Sequence, residues 1–81
     1  MKKITIPEVL PLVKAYLSKK GNSIGGSLHI VLDEGNINDK DIKFCRQYAA
    51  DRNDFDGVEL ADILLKLSKT QRRKISSKLY E

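Results

Sequence analysis

Two side chains in this sequence could support covalent chemistry, because the chain has one cysteine, Cys45, and one histidine, His29. A thiol beside an imidazole can attack an acyl centre when a carboxylate such as Asp33 or Asp41 orients the ring. Both residues, however, lie in apolar periodic segments, where burial of a small thiol explains the cysteine without catalysis. The sequence therefore favours a protein that is not an enzyme, with a Cys45–His29 nucleophile as the less favoured alternative.

The metal-binding patterns in the sequence are incomplete. A tetrahedral zinc site needs four ligands, and one cysteine with one histidine supplies two. The acidic stretch from Asp51 to Asp62 resembles a calcium loop, but an EF-hand needs an oxygen ligand at its fifth position and glycine at its sixth. Counted from Asp51, the fifth residue is Phe55 and the glycine, Gly57, comes one place late. We predict a polar turn here, and no metal or other cofactor.

Charge is segregated along the chain, although the net charge is only +4. Acids concentrate in the middle third, and the densest basic cluster follows it. That cluster consists of Lys69, Arg72, Arg73, Lys74 and Lys78. It predicts a surface that binds either an acidic protein or nucleic acid, since several phosphates could be met at once. Tyr80 is the aromatic residue nearest to this cluster in the sequence, so there are few side chains on which nucleic-acid bases could stack. A solvated helix that balances the acidic middle is the simplest alternative.

Length and periodicity predict the fold class. Eighty-one residues, with 41% hydrophobic and 32% charged, suit one folded domain spanning 1–81. Apolar residues recur at helical spacing in most segments, which predicts a compact all-α domain of four to five short helices. Residues 28–32 could instead pair as a strand with residues 3–6, but an isolated pair of short strands is marginal. We therefore favour a helix there.

The predicted core and boundaries follow from the same periodicity. Capping boxes are predicted at Thr5–Glu8 and Ser68–Gln71, further caps at Asn38 and Asp56, and a flexible connection at residues 22–26. The last helix has few apolar residues, so we expect it to lie outermost and dock weakly. A homodimer, in which a second copy buries this helix, is therefore an open alternative. The predicted core residues are Leu28, Val31, Leu32, Ile42, Cys45, Leu60, Ile63, Leu64 and Leu67.

The sequence also favours a cytoplasmic protein. No apolar run reaches the roughly 18–20 residues of a membrane span, and the basic start is not followed by the long apolar stretch of a signal peptide. A single cysteine is easiest to reconcile with a reducing compartment.

Several short stretches resemble a group of small proteins that are encoded by phages and prophages. They are Gly25–Asn36 (GGSLHIVLDEGN), Phe44–Cys45, Asp56–Gly57 with Leu64–Leu65, and Thr70–Lys74 (TQRRK). The resemblance covers about residues 25–75 and brings no known activity or site with it. It implies an accessory protein that acts by binding, with host enzymes, defence systems or nucleic acid as targets. The leading expectation is therefore a non-enzymatic protein that binds another protein, and the alternative is a nucleic-acid binder that uses the basic C-terminal helix.

Overall fold

The structure is a computed structural model that describes residues 5–33 and 38–79. The described residues contain five α-helices and no strand, so the all-α prediction and the helix at 28–32 are confirmed; residues 3 and 4 of the alternative strand pair lie outside the described part. The helices are α1 (Ile6–Ser18), α2 (Gly25–Asp33), α3 (Asp39–Asp51), α4 (Phe55–Leu65) and α5 (Lys69–Leu79).

Local side-chain chemistry sets several of the helix ends. Ser68 and Gln71 form the predicted capping box, in which the Gln71 amide donates to Ser68 Oγ at 3.2 Å and the Ser68 amide donates to Gln71 Oε1 at 2.9 Å. The box predicted at Thr5 is wrong, because the Glu8 amide donates to the Thr5 carbonyl oxygen at 3.1 Å and the Thr5 side chain makes no cap hydrogen bond. Gly21 ends the turn after α1 with φ of +87°, a conformation that glycine adopts without strain.

The connection between α1 and α2 is more ordered than its composition indicates. Ile24 is 1% exposed and belongs to the core. Asn22 donates to the carbonyl oxygen of Lys19 at 2.8 Å, and its Oδ1 accepts from the amide of Gly25 at 2.8 Å. This one amide side chain therefore satisfies groups at the end of α1 and at the start of α2, and the connection is shorter than the predicted 22–26 because α2 begins at Gly25.

The core is a single cluster drawn from all five helices. Val31 and Ile63 are only partly buried against it, and the other predicted core residues are buried. The helix α5 packs against α1 and α2. Its Ile75 is fully buried and its Ser76 hydroxyl donates to the carbonyl oxygen of Leu32. The expectation that α5 docks weakly on the outside is thus corrected, because α5 buries polar groups that find partners as well as apolar ones.

Candidate binding surfaces

Arg72 lies inside the protein, although its place in the sequence groups it with the basic binding cluster. Its side chain is 2% exposed. Nε donates to the carbonyl oxygen of Leu64 at 2.7 Å, Nη2 to that of Leu65 at 3.3 Å, and Nη1 to Oδ1 of Asp39 at 2.6 Å. The two carbonyls belong to the last turn of α4, where helices leave acceptors unsatisfied and the helix dipole favours a cation. Arg72 therefore ties the end of α4 and the start of α3 to α5, and its assignment to a partner-contacting surface is corrected.

The carboxylate of Asp39 lies at the centre of a basic neighbourhood. Its hydrogen bond from Arg72 is the main cause of a lowered pKa, and the positive charges of Arg72, Lys43 and Lys69 add to the effect. The start of α3 therefore meets the start of α5 through an acidic side chain that faces cations.

The other four basic residues of the predicted cluster are exposed, and we call them the α5 basic face: Lys69, Arg73, Lys74 and Lys78. Lys69 and Arg73 are four residues apart, as are Lys74 and Lys78, so the cations form two rows along the helix. The exposed Thr70 and Ser77 lie between the rows, and α5 contains no acidic residue.

The helices α1 and α4 enclose an apolar groove that the periodicity of neither helix predicts. The α1–α4 groove has a volume of about 270 Å³ and an apolar lining of Leu12, Ala15, Leu60 and Ile63, beside Tyr16. Leu12 is 50% exposed there. Leu12 flanks the buried stripe of α1, three residues after Val9 and four before Tyr16, so the signal in the sequence was an apolar residue at the edge of that stripe.

Charged residues line the rim of the α1–α4 groove. Lys19 Nζ lies 2.5 Å from Oδ2 of Asp56, which joins the end of α1 to the start of α4. That hydrogen bond raises the pKa of Lys19. Glu59 also lines the groove. The three charged residues together leave the rim with one excess negative charge.

A hydrogen-bonded centre beneath the groove holds its wall in place. The Tyr16 hydroxyl donates to Oδ2 of Asp54 at 2.6 Å, and the Ser23 amide and hydroxyl donate to the same oxygen at 3.0 and 2.7 Å. Burial raises the pKa of Asp54. These hydrogen bonds and one from the Gly57 amide lower the pKa by more than burial raises it, so that it is about 2. Asp54, and not the predicted Asp56, caps α4.

The exposed side of α3 carries a row of aromatic and basic side chains for which the sequence predicts only a helix flank. Phe44, which is 67% exposed, stacks on Tyr48 with ring centroids 6.5 Å apart. The guanidinium carbon of Arg52 lies 3.5 Å from the centroid of the Tyr48 ring, a close cation–π contact. The spacing of four residues places all three on one side of the helix.

The two residues considered for catalysis lie in different environments. Cys45 is 2% exposed, and burial together with the nearby charge of Asp41 raises the pKa of its thiol. His29 is exposed on α2. Across residues 5–33 and 38–79, no group of three or more His, Cys, Asp or Glu side chains is placed to hold a metal ion.

Comparison of the chain with protein-family models, with curated proteins and with solved structures returned no match. None of the helices in the described part is both long and apolar enough to cross a membrane.

Proposed function

We propose that this protein is a non-enzymatic accessory protein that acts by binding another protein, and that the α1–α4 groove receives the partner. The observation that carries the proposal is the groove itself, where Leu12 stays 50% exposed beside other apolar side chains. An apolar concavity with a charged rim is typical of an interaction site, because the apolar surface gains free energy only when a partner covers it.

The shape of the groove fits a helix. Its two walls are the helices α1 and α4, which line it with residues from two turns or more of each helix. An amphipathic helix can lie in such a groove and insert apolar side chains spaced three and four residues apart. The volume of about 270 Å³ accommodates only a few side chains of this kind, which predicts a short contact segment.

The rim predicts the charge of the partner. Asp56 is paired with Lys19, and Glu59 adds a further negative charge beside Ile63. A lysine or arginine next to the apolar anchors of the partner helix would complement Glu59, and an acidic residue there would be repelled. The occupant we propose is therefore an amphipathic helix with a basic flank.

The resemblance to phage- and prophage-encoded proteins supports an accessory role in the host cytoplasm, with a host or defence enzyme as the partner. Inhibition of such an enzyme would follow from occupation of one of its exposed amphipathic helices. This role requires no catalytic group and no cofactor.

Selection from a displayed library of helical peptides tests the proposal even while the natural partner is unidentified. We expect the selected peptides to carry large apolar residues at positions i, i+3 or i+4, and i+7, with Lys or Arg on the flank. Their binding should be lost in Leu12→Asp and weakened about tenfold in Glu59→Lys, measured by fluorescence anisotropy.

Ile30→Asp is the matched control, because Ile30 is 62% exposed and lies on α2, outside the groove lining. Peptides that bind Leu12→Asp as well as the original protein, or that lose affinity in Phe44→Ala instead, would overturn the groove as the site. A concentration-dependent dimer that Leu12→Asp dissociates would show that a second copy occupies the groove.

A further inference from the structure

We propose a second function on a different surface: the α5 basic face binds the phosphate backbone of nucleic acid. It presents Lys69, Arg73, Lys74 and Lys78 on the exposed half of one helix, with no carboxylate on α5. The inference is independent of the α1–α4 groove.

The exposed residues on this face suit phosphates better than a protein surface. Between the two rows of cations lie only the hydroxyl side chains of Thr70 and Ser77, and hydroxyls donate to phosphate oxygens in many nucleic-acid complexes. The exposed positions of α5 carry no aromatic or aliphatic side chain of the kind that anchors protein–protein interfaces. The apolar residues of α5, Ile75 and Leu79, are buried or partly buried against the core.

The four cations are exposed, although the charge of Lys69 also helps to lower the pKa of Asp39. The ion pairs found among the described residues join Lys19 to Asp56, Arg46 to Asp62, and Arg72 to Asp39. None of them takes a cation of the α5 basic face. On the C-terminal helix, the acids of the middle segment thus pair with the buried Arg72 through Asp39 and leave the exposed basic face without an ion pair among the described residues.

The face is also held rigidly and has a suitable length. Arg72 and Ile75 fix α5 to the rest of the protein, so the cations project from an ordered helix whose backbone loses little entropy on binding. From Lys69 to Lys78 the helix rises about 13 Å. A duplex carries about eight phosphate charges over that length, which is enough to meet all four cations.

The proposal makes a quantitative prediction about salt. Four phosphate contacts give a slope of log affinity against log salt of about −3.6, which corresponds to a loss of about 100-fold between 50 and 200 mM salt. Binding should be independent of base sequence, because phosphate contacts carry no sequence information. Labelled DNA duplex, RNA duplex and single strand distinguish the form of nucleic acid that is preferred.

Fluorescence anisotropy with these probes on the full chain tests the prediction. In the triple variant Arg73→Ala, Lys74→Ala, Lys78→Ala, the slope should fall to about −1, since each lost contact removes about 0.9. The control is Lys14→Ala, Lys20→Ala, Lys40→Ala, which removes the same charge from exposed positions on other elements. It should retain most of the slope.

Three results would overturn the proposal. They are no binding of nucleic acid at low salt, a loss of affinity in the control variant equal to that in the α5 variant, or binding of polyglutamate as tight as that of nucleic acid. The last would reassign the face to an acidic protein. Circular dichroism of both triple variants is expected to match the original protein, because all six positions are exposed and alanine favours helix at the five that lie in helices.

Discussion

The hydroxyl of Tyr16 donates a 2.6 Å hydrogen bond to the carboxylate of Asp54, 38 residues further along the chain. The same carboxylate oxygen accepts from the amide and hydroxyl of Ser23, and the other oxygen accepts from the amide of Gly57 at 3.3 Å. One side chain therefore joins α1, the connection to α2 and the first turn of α4. The wall of the α1–α4 groove depends on this arrangement, because Tyr16 lines the groove and Asp54 positions it.

The ionisation of Asp54 should be visible in the pH dependence of stability. Its pKa is about 2 in the folded protein and about 3.9 in an unfolded chain. A carboxyl whose pKa is depressed by folding stabilises the protein above the unfolded pKa, and that contribution is lost as the pH falls through the folded pKa. We expect Asp54→Asn to cost about 1–2 kcal/mol at neutral pH and to reduce the loss of stability between about pH 4 and pH 2.

Urea denaturation at a series of pH values measures both effects. Tyr16→Phe removes one of the hydrogen-bond donors and keeps the carboxylate. It should therefore lose less stability than Asp54→Asn and retain part of the loss of stability at acid pH. An Asp54→Asn protein with the same acid dependence as the original would show that other carboxyl groups govern the transition.

Arg72 and Arg73 are adjacent in the sequence but should respond in opposite ways to substitution. Arg72→Met leaves the carbonyls of Leu64 and Leu65 without the guanidinium and removes the partner of Asp39. We expect a cost of about 2–4 kcal/mol. Arg73→Met, at an exposed position, should change stability by less than about 0.5 kcal/mol.

Chemical denaturation distinguishes the two variants directly. Arg72→Lys serves as a further control, because it keeps the charge but loses the planar fork that reaches three acceptors. The free energy of unfolding of Arg72→Lys should lie between those of Arg72→Met and Arg73→Met. Equal stability of the Arg72 and Arg73 variants would contradict the structural role assigned to Arg72.

Two glycines provide a test of packing, since both lie within helices. A Cβ at position 57 would lie 2.8 Å from Tyr16 Oη and 3.0 Å from both the Ala49 Cβ and an Asp54 oxygen. Gly57→Ala should therefore destabilise the protein by about 1–3 kcal/mol, although alanine is the better helix former. At Gly26 a Cβ would meet nothing within 4 Å. Gly26→Ala should stabilise the protein by about 0.5–1 kcal/mol.

Thermal unfolding followed by circular dichroism should show the two melting temperatures moving in opposite directions. For a domain of this size, 1 kcal/mol corresponds to a shift of about 4–8 °C. A rise in melting temperature for Gly57→Ala would mean that the contacts around Tyr16 and Asp54 are looser than described.

The helices and their apolar faces could be predicted from the sequence because they depend on local spacing. The cap predicted at Asn38 is confirmed, since its side chain accepts from the amide of Asp41 at 2.9 Å. The buried stripe of α1, including Val9 and Val13, also follows from periodicity alone. Such features do not depend on which helices meet.

The binding surfaces depend on tertiary pairing, and there the sequence is less informative. A cluster of cations gives no sign that one member is internal. The available signal is positional, because Arg72 shares a helical stripe with Ile75 and Leu79. The α1–α4 groove could not be predicted from either helix alone, because Leu12 and Ile63 line the same space only after the two helices pack. The sequence likewise indicates only a polar turn around Asp54, since its partners Tyr16 and Ser23 are distant along the chain.

The reactivity of Cys45 tests whether the buried thiol has any chemical role. Burial raises the pKa of the thiol and the charge of Asp41 raises it further, so the thiolate population at neutral pH is small. An alkylating reagent should modify the folded protein only through transient opening, which makes labelling at neutral pH about 100-fold slower or more than in urea. Mass spectrometry over time measures the rate, and the Gly57→Ala variant should label faster because it opens more often. Rapid labelling of the native protein that depends on His29 would instead indicate an accessible thiolate–imidazole pair, and it would restore a nucleophilic role for Cys45.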